Sequence, residues 1–196
     1  VKSQSDVATV SDLSVIGDGN IYGVRAVFPF PATPDFFHSL TLGADYKDFN
    51  ESLALQGADT LNTPISYLPF SLRYEAMWRA DGHSTRLGVG STLSLRGVGN
   101  DQQEFEEKRF LARNNFMHFN ASLAHTRELP RGFSVEGRIE GQLADSPLIS
   151  NEQFAAGGAD SVRGYRESQA LGDDGVYGSV ELQTPSLVRE GWKWPD

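Results

Sequence analysis

The side chains in this sequence that could carry out chemistry include its carboxylates, above all Glu136 and Glu140, and its four histidines. Glu136 and Glu140 have the same strand parity, which would separate them by about 13 Å at a rise of roughly 3.3 Å per residue. The two carboxyl groups of a glycosidase must lie closer together than this. The histidines are far apart along the chain and lack metal-ligand spacing. These residues therefore predict no enzyme, no metal site and no cofactor.

Short motifs that resemble functional signatures are incomplete. Gly88-Val89-Gly90 lacks the closing glycine and the following helix of a dinucleotide-binding loop. Asp173-Asp174-Gly175 fits a turn before a strand better than a calcium-binding loop. A Gly-x-Ser-x-Gly nucleophile elbow does not occur in the sequence. An enzymatic function thus has no positive support from motifs.

Composition and charge exclude several classes of partner and anchor. The chain has 196 residues, a net charge of −9 and a pI near 4.9. Because it has no run of Lys or Arg, we expect no nucleic-acid partner. It has no cysteine, which excludes disulfides and thiolate chemistry. No stretch of about 18 apolar residues could form a transmembrane helix, but transmembrane strands leave no such signal because their apolar and polar residues alternate.

The elements that must position the polar side chains are β-strands, because apolar and polar residues alternate along most of the chain. From Phe133 to Leu143 every second residue is apolar or glycine, and the pattern recurs from Val176 to Thr184. About eight strands of roughly 9–12 residues result, the length that crosses a bilayer at a tilt. They are predicted at residues 6–16, 22–28, 40–47, 70–79, 85–96, 116–128, 133–143 and 176–184.

The lengths of the connections alternate in a way that is typical of outer-membrane barrels. Connections at 50–63, 97–115 and 145–175 are long and polar, whereas those between them are short turns. Only the predicted connection at 17–20 departs from this rule. An antiparallel meander with short turns at one end and long loops at the other is how such barrels are built. The sequence therefore predicts an all-β fold, an antiparallel transmembrane β-barrel meander in contact with outer-membrane lipid.

Charges of both signs lie on the polar faces of these strands. On a soluble sheet they would form the solvated surface, and in a barrel they would line a wet lumen. In the barrel, Val135 and Ile139 are predicted to face lipid. The charged residues predicted to face the lumen are Arg73, Glu75, Glu136, Arg138, Glu140 and Glu181.

Aromatic residues collect near the strand ends that carry the short turns. Two explanations stay open, an interfacial girdle of the kind found in membrane proteins and ordinary packing at hairpin ends, and we favour the girdle. These residues are Phe28, Phe30, Phe36, Phe37, Trp78, Phe133, Trp192 and Trp194.

One segment departs from the pattern of strands and turns, the connection at 145–175. A loop of about 30 residues is unusual and is generally either functional or disordered. This one contains Phe154, Val162 and Tyr165, which a disordered segment would tend to lack. Its motifs, with the strand that follows, are Gly157-Gly158, Ser161-Val162-Arg163-Gly164-Tyr165, Gly172-Asp-Asp-Gly175 and Ser179-Val-Glu-Leu-Gln-Thr-Pro185.

These motifs resemble the signature of the TpsB transporters of two-partner secretion, the exporters of haemolysins and filamentous adhesins. That family belongs to the outer-membrane assembly and translocation superfamily of Gram-negative bacteria. The likeness covers residues 150–185 and is specific. Upstream, residues 42–47 and 63–67 also look like parts of the family's barrel.

The resemblance implies a barrel of about 16 strands, preceded by periplasmic polypeptide-binding (POTRA) domains. Residues 1–196 would form part of that barrel, with the POTRA domains and the first and final strands absent. The loop at 145–175 would fold back into the lumen. There Arg163 would form a bidentate pair, shielded from water, with an acidic residue on a later strand, and we expect that residue to lie beyond this chain.

The resemblance also implies the function, a translocator in the bacterial outer membrane that exports a large secreted partner protein of haemolysin or adhesin type. The partner would pass through the lumen as an unfolded chain, without ATP. Three alternatives stay open: an assembly factor of the same superfamily, a passive pore or adhesin barrel, and a soluble all-β binding module. The loop residues expected to serve the function are Gly157, Gly158, Ser161, Val162, Arg163, Gly164 and Tyr165.

Overall fold

The computed structural model describes residues 2–10, 13–55 and 61–185, with side chains from 19–50 and 63–185. Strands dominate, as the alternation predicts. They are β1 Lys2–Val10, β2 Leu13–Pro29, β3 Phe36–Leu55, β4 Leu61–Asn62, β5 Ile65–Tyr67, β6 Pro69–Ala80, β7 His83–Ser94, β8 Met117–Leu129, β9 Phe133–Ala144, β10 Phe154–Ala156, β11 Ala170–Gly172 and β12 Gly175–Gln183. The helices of the described part are α1 Gln102–Lys108 and two short 3-10 helices, Pro130–Gly132 and Ser150–Glu152.

Eight of the strands form an antiparallel sheet in the order β1-β2-β3-β6-β7-β8-β9-β12, and this confirms the predicted meander. The short strands β4 and β5 also pair with β3, while β10 and β11 form a separate hairpin. The register aligns apolar side chains across strands: Leu87 lies opposite Leu123, and Leu123 lies opposite Ile139. A shift of one residue would turn every side chain to the other face, so the alternation in the sequence fixes this register.

The predicted boundaries at the start of the sheet are wrong. Residues 17–20, predicted as a connection, lie inside β2 and pair with residues 48–51 of β3. Glycine and asparagine are frequent in turns, but an antiparallel ladder uses only backbone groups and accepts them in a strand. For the same reason β3 continues to Leu55, into the predicted loop at 50–63. The predicted first strand at 6–16 is divided between β1 and β2, which pair with each other.

The connections between β6 and β12 keep the predicted alternation in length. At one end of the sheet, Gly82 (φ 73°) and Gly132 (φ 78°) form tight turns in the left-handed region that favours glycine. At the other end lie the long connections 95–116 and 145–174. The first contains α1, which was not predicted because its seven residues are too few to show helical periodicity. Among the described residues no helix has the length and apolar character needed to cross a membrane.

The exposure of the two faces of the sheet is the reverse of that in a soluble protein, where apolar side chains are buried and polar ones exposed. Apolar side chains on one face are open: Val180 is 82% exposed and Leu143 is 68% exposed. On the other face the polar residues Gln142 and His118 are buried, because the long loops fold over them. We call these the apolar face and the polar face. This arrangement suits a strand layer whose apolar side meets lipid.

The largest buried side chains belong to the long loops. They form a cluster, here termed the loop core, that joins β5 to the β7–β8 and β9–β12 connections. The ring of Tyr67 makes T-shaped contacts with Phe105 and Phe116 at centroid distances of 5.6 and 6.3 Å. The loop core consists of Ile65, Tyr67, Phe105, Ala112, Phe116, Leu148 and Ile149.

Candidate functional site

The motifs that the sequence singles out form a folded tip at the end of the β10–β11 hairpin. Pairing of Phe154 with Gly172 and of Ala156 with Ala170 brings the two ends of residues 157–169 together. The Ser161 hydroxyl accepts from the Gly157 amide at 2.8 Å and donates to the carbonyl of the same residue at 2.7 Å. We call residues 157–169 the motif tip.

The paired glycines of the motif tip are required by its geometry. Gly157 and Gly158 have φ values of 120° and 99°, which side-chain-bearing residues rarely adopt. A Cβ atom on Gly157 would collide with the carbonyl oxygen of Arg166, and one on Gly158 would collide with the Glu167 carboxylate. The close packing of these chain segments therefore explains the Gly-Gly pair.

Arg163 reaches from the motif tip to β12, where its Nη2 donates to Glu181 Oε1 at 2.7 Å. The prediction that its acidic partner lies beyond the chain is wrong, since Glu181 stands on the next strand of the sheet. Glu181 also lies in register with Glu136 of β9. Two facing carboxylates repel each other, so a cation beside Glu181 relieves that repulsion.

The Arg163 contact is open to solvent, contrary to the shielded, bidentate pair that was expected. The side chain of Arg163 is 69% exposed and that of Glu181 is 33% exposed. The contact joins Arg163 Nη2 to one carboxylate oxygen, and an exposed pair of this kind is worth at most about 1 kcal/mol. Tyr165 is also exposed, at 61%. The motif tip thus presents these side chains to the space above the polar face.

A second set of contacts holds the loop against β9 and β12. The Arg138 guanidinium donates to the backbone carbonyl of Asp160. Its Cζ lies 5.9 Å from the centre of the Tyr177 ring, and that ring stacks on Phe154 at 5.6 Å. The alternation in the sequence predicts Arg138 on the polar face but does not indicate that it anchors the loop.

A buried carboxylate joins the same loop to three strands, β3, β5 and β8. Glu152 accepts hydrogen bonds from Lys47 Nζ at 2.5 Å and the Tyr67 hydroxyl at 2.6 Å, with His118 Nε2 at 3.4 Å. Its burial favours the protonated form, but His118, Lys47 and Tyr67 together hold its pKa below the ordinary value. No sequence pattern marks this group, because the partners of Glu152 are more than 30 positions away in the chain.

Asp173, from the motif that opens β12, organises the loops above the sheet. Its Oδ1 accepts from the Arg109 guanidinium, and from the Leu148 amide and the Gln153 side chain at 3.1 Å each. Burial opposes its charge, yet the Arg109 and Gln153 bonds lower its pKa overall. The carboxylate of Asp174 accepts from the Ala144 amide at 2.7 Å. The two acids thus hold neighbouring segments together, in keeping with the predicted turn.

The charged residues predicted on the polar face lie in opposite-charge pairs. The separations are 3.0 Å for Arg73–Glu75, 4.0 Å for Arg86–Glu136 and 3.9 Å for Arg138–Glu140. Most of these residues line an open cavity of about 640 Å³ on this side of the sheet. A further pair, Arg25–Asp45, is bidentate at 2.7 and 2.6 Å and was not predicted from the sequence. Because its charges are paired, the polar face carries many charged groups but no strong electrostatic field of one sign.

Together, the meander, the open apolar face, the polar face and the loops sorted to one end define an outer-membrane β-barrel protein. The comparison with known proteins gives the family: residues 38–194 match the haemolysin secretion/activation proteins ShlB/FhaC/HecB. The chain belongs to this family, the TpsB transporters, as its motifs predicted. Members are outer-membrane barrels of Gram-negative bacteria, and the protein is accordingly located in the outer membrane.

Individual relatives agree with this assignment. The heme/hemopexin transporter protein HuxB of Haemophilus influenzae strain 86-028NP is 25% identical over 161 residues, covering 81% of this chain and 28% of HuxB. HuxB of strain Rd is 24% identical over the same length. The structure of CdiB from Escherichia coli shares the fold with a TM-score of 0.72 at 21% identity, over 92% of this chain and 33% of CdiB. The chain therefore spans about a third of the length of these proteins or less.

Proposed function

We propose that the full-length protein exports a secreted partner protein across the outer membrane, and that the partner moves along the polar face as an unfolded chain. Support comes from the family and from the motif tip, which lies against the polar face through Arg163 and Arg138. The motif tip on that face is the observation that carries the proposal. Neither ATP nor a cofactor takes part, and the protein catalyses no reaction.

The charge pattern of the polar face suits a path for polypeptides of varied sequence. A wall of one sign would bind a stretch of the opposite charge tightly and would repel the other. Here Arg73, Arg86 and Arg138 each have a carboxylate at 4.0 Å or less. A passing chain thus meets polar groups that can exchange hydrogen bonds with it but offer no strong net attraction.

The motif tip positions the loop within this path. Arg163 bonds to Glu181 on β12, while Arg138 of β9 bonds to Asp160 at the tip itself. We propose that these two contacts keep the tip in a secretion-competent position. The residues concerned are those named from the sequence, Gly157, Gly158, Ser161, Val162, Arg163, Gly164 and Tyr165, with Glu181 as the added partner.

Site-specific photo-cross-linking tests the path directly. A cross-linking amino acid at Ser122, on the polar face of β8, should capture the partner during secretion by cells that express both proteins. The matched control is the adjacent position Leu123, which points to the opposite face and is 43% exposed there. Capture from position 122 and none from position 123 is the expected result. Capture of equal strength from both positions, or from 123 alone, would refute the proposed path.

A further inference from the structure

On strands β6 to β9 and β12, the basic residues of the apolar face are confined to one corner of the sheet. From β6 to β9 and on β12, the side chains that share the face of Leu123 and Ile139 include no Asp and no Glu. The basic side chains among these described positions are His83, His125 and Arg127. All three lie at the short-turn end and are exposed.

The register brings these three residues together. His83 lies directly opposite Arg127, and Thr85 lies directly opposite His125. The His83 and His125 ring centres are 6.1 Å apart. His125 Nδ1 is 2.8 Å from the Thr85 hydroxyl, so Nε2 is the ring nitrogen that can serve a ligand. In the described part of the chain no carboxylate forms an ion pair with Arg127.

The surroundings of this corner change from polar to apolar over a short distance. Leu123 stands two positions before His125 on β8, about 7 Å along the strand, and pairs with Ile139. Gly137 lies opposite His125, and a Cβ atom there would meet nothing within 4 Å, so the surface beside the ring is open. Trp78, 42% exposed, pairs with Thr85 on the other side. Basic groups here adjoin an open apolar surface and an interfacial type of aromatic residue.

We propose that His83, His125 and Arg127 bind the phosphate of a glycerophospholipid of the periplasmic leaflet. In outer-membrane barrels the short turns face the periplasm, and the inner leaflet there consists of glycerophospholipids. Arg127 supplies positive charge and several N–H donors, and the imidazoles add further donors. The acyl chains lie along Leu123 and Ile139. A free anion would match the basic groups but would leave the apolar surface beside them uncovered.

The test uses full-length transporter purified in a mild detergent, with phosphatidylglycerol as the probe and native mass spectrometry as the measurement. The double substitution His125→Gln and Arg127→Gln removes the guanidinium charge and the imidazole, and we expect about tenfold weaker retention of the lipid. Arg131→Gln is the matched control, because Arg131 is an exposed arginine in the next turn, outside the sheet. It should bind like the wild type, and Arg127→Lys should keep most of the affinity.

Three further results would overturn the proposal. Equal retention by the double variant and the wild type would show that the basic groups do not bind the lipid. Equal retention of a diacylglycerol, which lacks the phosphate, would show that the apolar face alone is responsible. Competition by inorganic phosphate at the lipid's concentration would show an anion site in place of a lipid site. If the double variant fails to assemble, as judged by heat-modifiable migration, the wild-type comparison of phosphatidylglycerol with diacylglycerol and the Arg127→Lys measurement still decide the question.

Discussion

The strands and the long loops of this protein handle apolar side chains in opposite ways. In the sheet, Val180 and Leu143 are largely exposed, whereas in the loops Phe105 and Ile149 have exposures of 1% or less. Lipid covers the apolar face of a membrane barrel, so the strands need no protein core on that side. The loops stand outside the bilayer in water and must bury their own apolar groups. The comparison shows that one chain folds in two environments: its strands expose apolar side chains to lipid, and its loops bury theirs away from water.

The largest expected effect on stability is in the loop core. Replacing Phe105, which is fully buried, by alanine should destabilise the folded loops by about 3–5 kcal/mol. Because strands β6 to β9 and β12 contribute no member of the loop core, the barrel should still assemble. Hydrogen exchange of residues 95–116 in the assembled protein measures the change. Phe110 in the same connection is 84% exposed, and Phe110→Ala should leave exchange unchanged; equal effects of the two substitutions would contradict a loop core.

The second effect separates the two faces of the sheet. Ile139→Lys places a charge on the apolar face and should cost about 2–4 kcal/mol if that face meets lipid. Glu136→Lys lies on the polar face, where loss of an exposed pair with Arg86 costs about 1 kcal/mol or less. Assembly into the heat-modifiable barrel should therefore fall far more with Ile139→Lys. The reverse order would show that the faces are assigned incorrectly.

A smaller effect concerns Glu152, which joins the loops to the strands. Glu152→Gln keeps the shape but leaves Lys47 and His118 without their carboxylate, at a cost of about 1–3 kcal/mol in loop stability. Hydrogen exchange of residues 148–153 at neutral pH measures it. The matched control is Glu128→Gln, the same substitution at an exposed carboxylate of β8, and it should leave this exchange unchanged.

The same residue predicts a direction for pH dependence. Folding lowers the Glu152 pKa, so its contribution is complete above the unfolded value of about 4.3 and is lost as the pH falls through the lower folded value. The loops should accordingly open in acid while the strands remain paired. Glu152→Gln should flatten part of this dependence, and Asp173, whose pKa is also lowered, should account for the rest. An unchanged acid response in Glu152→Gln would show that its charge does not stabilise the loops.

Much of the sheet could be predicted from sequence because side-chain alternation is a local property. Strands β6 to β9 and β12 agree with the prediction to within a few residues. The boundary at 17–20 failed because turn-forming residues do not prevent a strand from pairing. The aromatic girdle stays a prediction, and its residues do not share one face: Phe36 stacks on Trp78 at 5.0 Å, whereas Phe37 lies on the polar face beside Arg79. Trp192 and Trp194 lie outside the described residues.

The loops could not be predicted to the same depth, for a physical reason. Tyr67, Phe105 and Leu148 meet only after three connections have folded over the same face, and no local period marks them. The Glu152 contacts depend on the same approach. The motif tip was found because its residue types resemble those of a family, but the place of Glu181 as the partner of Arg163 required the register of β12 on β9.

The central claim is that the motif tip must be held on the polar face for export. The most direct test measures the amount of secreted partner per unit of folded transporter in the Arg163→Ala variant. This substitution has the smallest effect on stability of those considered, since the pair is exposed. Loss of up to about 1 kcal/mol nevertheless changes the ratio of held to released motif tip about fivefold. Export should fall by about that factor while assembly stays normal. Glu181→Gln should behave alike, Arg163→Lys should retain part of the export, and Arg166→Ala should be milder. Export at the wild-type level from both Arg163→Ala and Glu181→Gln would contradict the claim.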